Sequence, residues 1–115
     1  MPTSPVLNER WLLDEARGNR DFLKKLFTVF VDQQPRKIEE MRKTVRETKF
    51  RELSFQAHAF KGAAATMRAN VLKDRAYEVE KAAEAEDKAK AKREIEALAT
   101  DLEEAIRAMQ KFMEN

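Results

Sequence analysis

The chain has 115 residues, room for one domain with a single modest core. It has no cysteine, which excludes disulfides and thiolate-held zinc or iron–sulfur sites; its two glycines and three prolines supply too little turn chemistry for many short strands. With 23 basic and 21 acidic residues the net charge is +2, a mixed surface that gives no argument for nucleic acid as a partner. No apolar run approaches the ~20 residues of a membrane-spanning helix, and no basic-then-apolar leader opens the sequence, so no membrane contact and a cytoplasmic location are expected.

The fold expected is all-α: an antiparallel four-helix bundle with an additional short N-terminal helix. Residues 1–7 read as a flexible lead with two prolines, and residues 8–115 as the bundle domain. The short helix spans about 8–16, with Asn8 as N-cap and Gly18 as its stop. Asn19 caps the next helix, whose apolar positions are Phe22, Leu23, Leu26, Phe27 and Phe30. Pro35 either opens a new helix or kinks this one, and Ile38, Met41 and Val45 carry the stripe to about residue 47. Residues 47–50 suggest a short loop in which Thr48 is a candidate cap.

A helix over about 50–67 follows, then one over about 70–85 with Leu72, Ala76, Val79 and Ala83 inward. Residues 84–94 are charge and alanine, and read either as a solvated turn or as a continuous exposed helix. The last helix carries Ile95, Leu98, Leu102, Ala105, Met109 and Phe112. A second stripe of Ala99, Leu102, Ile106, Met109 and Met113 overlaps it, giving the broad face a bundle helix needs. A coiled-coil dimer is the competing explanation of that stripe, but only about three heptads are visible.

The helix over 50–67 holds the chain's single histidine, His58. Leu53, Ala57, Phe60, Ala64 and Met67 fall on one stripe, and His58 lies roughly 140° from its centre, toward water. Sharing the outward face are Arg51, Ser54, Phe55, Lys61, Gly62 and Ala65. A glycine inside a helix costs about 0.5–1 kcal/mol relative to alanine. On an outward face that gap serves no internal packing, and a side chain at i+4 would crowd the imidazole. Gly62 therefore reads as access to His58 for a phosphoryl group or a partner's backbone. Lys61, at i+3, can place an ammonium beside a phosphate. Histidine's neutral form, available at neutral pH, gives an exposed imidazole a nucleophilic lone pair. The plainer alternative is an ordinary surface histidine, with Phe55 folded back under the neighbouring helix and Arg51 a solvated charge.

Other chemistries find less support. Ser54, at i−4 from His58, could share its face, but no third orienting carboxylate is evident on that face of the helix. A di-iron bundle needs histidines on two helices. No glycine-rich phosphate loop is present.

The run "AHAFKGAAATMRA" resembles the signature of histidine-containing phosphotransfer (HPt) domains. Ala57, His58, Lys61, Gly62, Ala63, Ala64, Met67 and Ala69 match it, with Phe60 where leucine is usual. The upstream run "GNRDFLKKLFTVFVDQQP" is similar to the family's first bundle helix. Leu72 and Glu80 stand where a leucine and an acidic residue are common. The resemblance covers about residues 8–113. Arg68 departs from it, replacing the glycine at the turn that ends the histidine helix; the arginine would extend that helix or shift its end by a residue.

The resemblance implies a phosphorelay carrier, itself no enzyme, that shuttles a phosphoryl group between receiver-domain aspartates and His58. Lys61 would support the phosphate charge and Gly62 would give steric access. Arg51, Ser54, Phe55, Ala59, Ala65 and Arg68 would form the partner surface. Partners would be response-regulator receiver domains and a hybrid sensor histidine kinase. The chain itself would need no cofactor; Mg²⁺ would sit on the receiver. A monomer is expected, because the active face is exposed. The alternative is a helical docking module that binds receivers or other proteins without transferring phosphate.

Overall fold

In the computed structural model, the residues described are 19–114 and, before them, Asp14. Among them all regular structure is helical: α1 (Arg20–Arg46), α2 (Phe50–Thr66), α3 (Asn70–Glu84) and α4 (Lys88–Glu114). Each helix packs against the next, and α1 closes the ring against α4. Tight turns make successive helices antiparallel. The expected lead over 1–7, short helix over 8–16, Asn8 cap and Gly18 stop lie outside the described residues.

Local chemistry sets the boundaries. The Asn19 side chain accepts the Phe22 N–H at 3.0 Å and caps α1, as its sequence position suggested. Pro35 lies inside α1, so it interrupts the hydrogen-bond ladder without ending the helix. Asp87 caps α4 by accepting the Lys90 N–H at 3.1 Å. The charged segment 84–94 is thus a turn at 85–87 and not a continuous exposed helix, and the first turns of α4 that follow it already bury Ala91.

All three turns end the preceding helix in the same way. The N–H of Lys49 reaches the Thr44 carbonyl at 3.2 Å, Ala69 reaches Ala64 at 2.9 Å, and Asp87 reaches Ala82 at 2.9 Å. In each, the residue before takes the left-handed conformation: Thr48 at φ 55°, Arg68 at 53° and Glu86 at 55°. These are Schellman turns built without glycine. Two expectations are corrected here. Thr48 does not cap α2; it terminates α1, and Lys49 stands at the N-cap of α2 with no side-chain cap bond. Arg68 neither lengthens α2 nor moves its end, because the Schellman hydrogen bonds hold it in the geometry glycine would occupy.

The core follows the predicted stripes on α2, α3 and α4. Leu53, Ala57, Phe60 and Ala64 face Leu72, Ala76 and Val79, with Ile95, Leu98 and Leu102 from α4. On α1 the buried positions are Leu23, Phe27, Phe30, Ile38, Met41 and Val45. Phe22 and Leu26, expected on that stripe, are instead exposed, because they lie one residue back and therefore ~100° around the helix. Near one end, Arg42 grips Glu96 with two hydrogen bonds of 2.8 and 2.7 Å; near the other, Arg20 donates to the Phe112 carbonyl at 3.2 Å. These contacts fix α1 and α4 antiparallel over their 27 residues each.

Candidate functional site

His58 stands on α2 with 69% of its side chain exposed, as the helical geometry predicts. Its Nδ1 lies 2.9 Å from Oε2 of Glu80 on α3. The other oxygen of that carboxylate, Oε1, accepts Lys61 Nζ at 2.8 Å. Glu80 therefore joins both residues of the motif across the α2–α3 seam, and its own side chain is only 11% exposed. Burial works to raise the Glu80 pKa, but the hydrogen bonds from Lys61 and His58 and their charge outweigh it, so the carboxyl lies below its ordinary value.

The state of Glu80 decides the state of the ring. An ionised carboxylate only accepts, so the hydrogen bond requires the proton on Nδ1. In the neutral imidazole the lone pair then resides on Nε2. Nε2 has no hydrogen-bond partner among the described residues. The arrangement offers one oriented nucleophilic nitrogen, with a cation held beside it.

Gly62 lies on the same exposed face, and a Cβ built there meets nothing within 4 Å. The fold itself has no need of glycine at this position. Phe55 is 80% exposed and does not fold back under a neighbouring helix. Arg51, Ala59 and Ala65 are also exposed, and Ser54 is half-buried. A groove of about 730 Å³ runs between α1 and α2, with Phe50, Phe55 and Ala59 along it and Lys37, Lys49 and Arg51 among its charged residues. Ser54 faces away from that groove, into a smaller hollow of about 340 Å³ shared with Ala83 and Glu86. Arg68 is exposed but sits in the α2–α3 turn, ten residues on from His58, or ~15 Å along a helix. The structure thus joins His58 and Lys61 through Glu80, with Gly62 exposed on the same helix, sets Arg51, Phe55 and Ala59 along the adjoining groove, and leaves Arg68 apart.

Three contributions have no local signal in the sequence. Glu80 is 22 residues from His58. The family resemblance marks it as an acidic position, but its contacts with His58 and Lys61 are legible only after α2 and α3 are packed. Lys37 reaches the groove from α1. Tyr77 places its ring 4.9 Å from Lys61 Nζ.

The described residues form an all-helical bundle that projects one oriented histidine from an exposed helix face. The model of the Hpt domain family matches residues 25–110, and the chain belongs to that family. Members of the family act in histidine phosphotransfer within phosphorelays and interact with receiver domains and kinases. No curated protein and no solved structure matches the chain. Among the described residues no helix is long and apolar enough to cross a membrane. Nor do they contain a group of three or more His, Cys, Asp or Glu side chains placed to hold a metal ion.

Proposed function

We propose that His58 is the phosphoacceptor and phosphodonor of this Hpt domain, taking its phosphoryl group from the aspartate of one receiver and passing it to another. The observation that carries this reading is the contact between His58 Nδ1 and Glu80, which directs the Nε2 lone pair outward from an accessible face. In the forward step Nε2 attacks phosphorus in line with the aspartyl oxygen. The Nε2–P bond forms, the P–O bond breaks, and the aspartate leaves as a free carboxylate. The Nδ1 proton stays where it is, and Glu80 stabilises the positive charge that develops on the ring. The return step is the reverse, with a second receiver's aspartate attacking. Mg²⁺ on the receiver neutralises the phosphoryl oxygens.

Lys61 carries the third part of the charge arrangement. Bound to Glu80 through one N–H, it retains two donors for phosphoryl oxygens. Gly62 keeps the approach open. The groove between α1 and α2, with Phe55 as an exposed aromatic ridge, is the docking surface. Its cations Lys37, Lys49 and Arg51 outnumber its carboxylates Glu40 and Glu52, which suits the acidic pocket of a receiver, and Arg68 in the α2–α3 turn adds a further positive charge outside the groove. The protein works as a cytoplasmic monomer fed by a hybrid sensor kinase.

The test is intact-mass measurement after mixing the protein with phosphorylated receivers, beside His58→Gln. A gain of one phosphoryl group that is acid-labile and absent in the variant supports the carrier. No gain with a receiver that demonstrably binds would leave the docking-module reading instead.

A further inference from the structure

The Lys61 ammonium has a second neighbour. Tyr77 lies one helical turn before Glu80 on α3, and nearly half of its surface is exposed. Lys61 Nζ is 4.9 Å from the centroid of its ring while only 2.8 Å from Glu80 Oε1. Lys81, one turn on from Tyr77, holds its ammonium 4.8 Å from the same ring, and is itself tied to Glu78 at 3.0 Å. The α3 face of the site is therefore an aromatic ring with two ammonium groups against it, and only one of them, Lys61, is shared with the carboxylate that orients His58.

We propose that Tyr77 is a positioning residue for phosphorylation of His58, its ring holding the Lys61 ammonium at the histidine so that an incoming phosphoryl group meets a cation already in place. This rests on the phosphoacceptor reading of His58. A lysine stem has four rotatable bonds, and a single carboxylate oxygen can be approached from many directions. A π face within about 6 Å attracts the cation and occupies one of those directions. Between ring and carboxylate, Lys61 retains little freedom, and only 27% of its side chain is exposed. Without the ring, Glu80 still binds the ammonium, but from a wider set of positions, fewer of which reach the phosphoryl oxygens. The part of Tyr77 that acts is the ring and not the hydroxyl.

Phosphoramidate tests this without any partner protein. Its P–N bond breaks as the Nε2–P bond forms, ammonia leaves from the N-protonated donor, and Nδ1 keeps its proton on Glu80. The rate of the single-phosphoryl mass gain is measured for wild type, Tyr77→Leu, Tyr77→Phe, Lys61→Ala and the Lys61→Ala/Tyr77→Leu double variant. Thermal melting confirms that each is folded. Tyr77→Leu should be slower by roughly two- to five-fold, the size of a partly exposed cation–π contact. Tyr77→Phe should restore the rate, and Tyr77→Leu should add nothing once Lys61 is alanine. A wild-type rate in Tyr77→Leu, an equal loss in Tyr77→Phe, or a loss that persists without Lys61 overturns the role of Tyr77 alone. No adduct on His58 in the wild type overturns the phosphoacceptor reading, and this inference with it.

Discussion

Arg68 separates what the backbone requires from what the site requires. At φ 53° it occupies the left-handed region, where an L side chain costs roughly 1–2 kcal/mol. Glycine would remove that cost but gives back about 0.5–1 kcal/mol through its freer unfolded chain. Arg68→Gly and Arg68→Ala both delete the guanidinium and every contact it makes, so the difference between them isolates the backbone. Arg68→Gly should then be more stable than Arg68→Ala by a margin centred on ~0.75 kcal/mol, or roughly 2–5 °C in Tm. Thermal and urea unfolding followed by circular dichroism read this directly, and Thr48 and Glu86 offer the same pair of substitutions in the other two turns. In phosphotransfer from a receiver the two variants should behave alike, since each lacks the same charge. Equal stability of the two, or a more stable alanine variant, would refute the claim that this turn holds Arg68 in a strained geometry. The conclusion that α2 ends where a glycine would end it would fall too.

Three further outcomes follow from the His58 site. Glu80→Ala should slow phosphorylation of His58 by roughly 10- to 100-fold, the worth of a hydrogen bond to a charged group of about 1.5–3 kcal/mol; an unchanged rate would deny Glu80 its orienting role. Gly62→Ala should raise stability by about 0.5–1 kcal/mol, because the added Cβ meets nothing within 4 Å, while slowing transfer from a receiver. A variant that gains stability and loses no rate would show that the open face is not an approach path. Glu80 has a lowered pKa in the fold, so its contribution is fully present above its unfolded value of about 4.5 and is lost as pH falls through the lower folded value. Urea midpoints measured from neutral pH into the acid range should therefore decline more for the wild type than for Glu80→Gln, and parallel declines would refute this.

The positions legible in the sequence are those governed by period and local capping. Asn19 caps α1 and the stripe through Leu53, Ala57, Phe60 and Ala64 is buried, because both depend on residues within a turn or two of one another. That stripe alone sets the outward direction of His58. The errors arise where one residue serves two possible neighbours. Thr48 has the chemistry of a cap, yet Lys49 N–H reaches back to Thr44 and makes it the end of α1. Phe22 and Leu26 extend a run of apolar residues that a straight helix can bury only on one side. The Glu80 contacts depend on how α2 and α3 rotate against each other, which no spacing within either helix encodes. The same is true of the groove that Lys37 and Phe50 share. The family motif names His58, Lys61 and Gly62, and the wider resemblance marks Glu80 as acidic, but that its carboxylate links the first two enters only through packing.

The most direct test is made on the one imidazole the chain contains. Protein labelled with ¹⁵N in the histidine ring is phosphorylated by a receiver, and ³¹P and ¹⁵N spectra identify the nitrogen bonded to phosphorus. Phosphorus is expected on Nε2 of His58, with Nδ1 still protonated against Glu80. Phosphorus on Nδ1, or on any side chain other than His58, would contradict it.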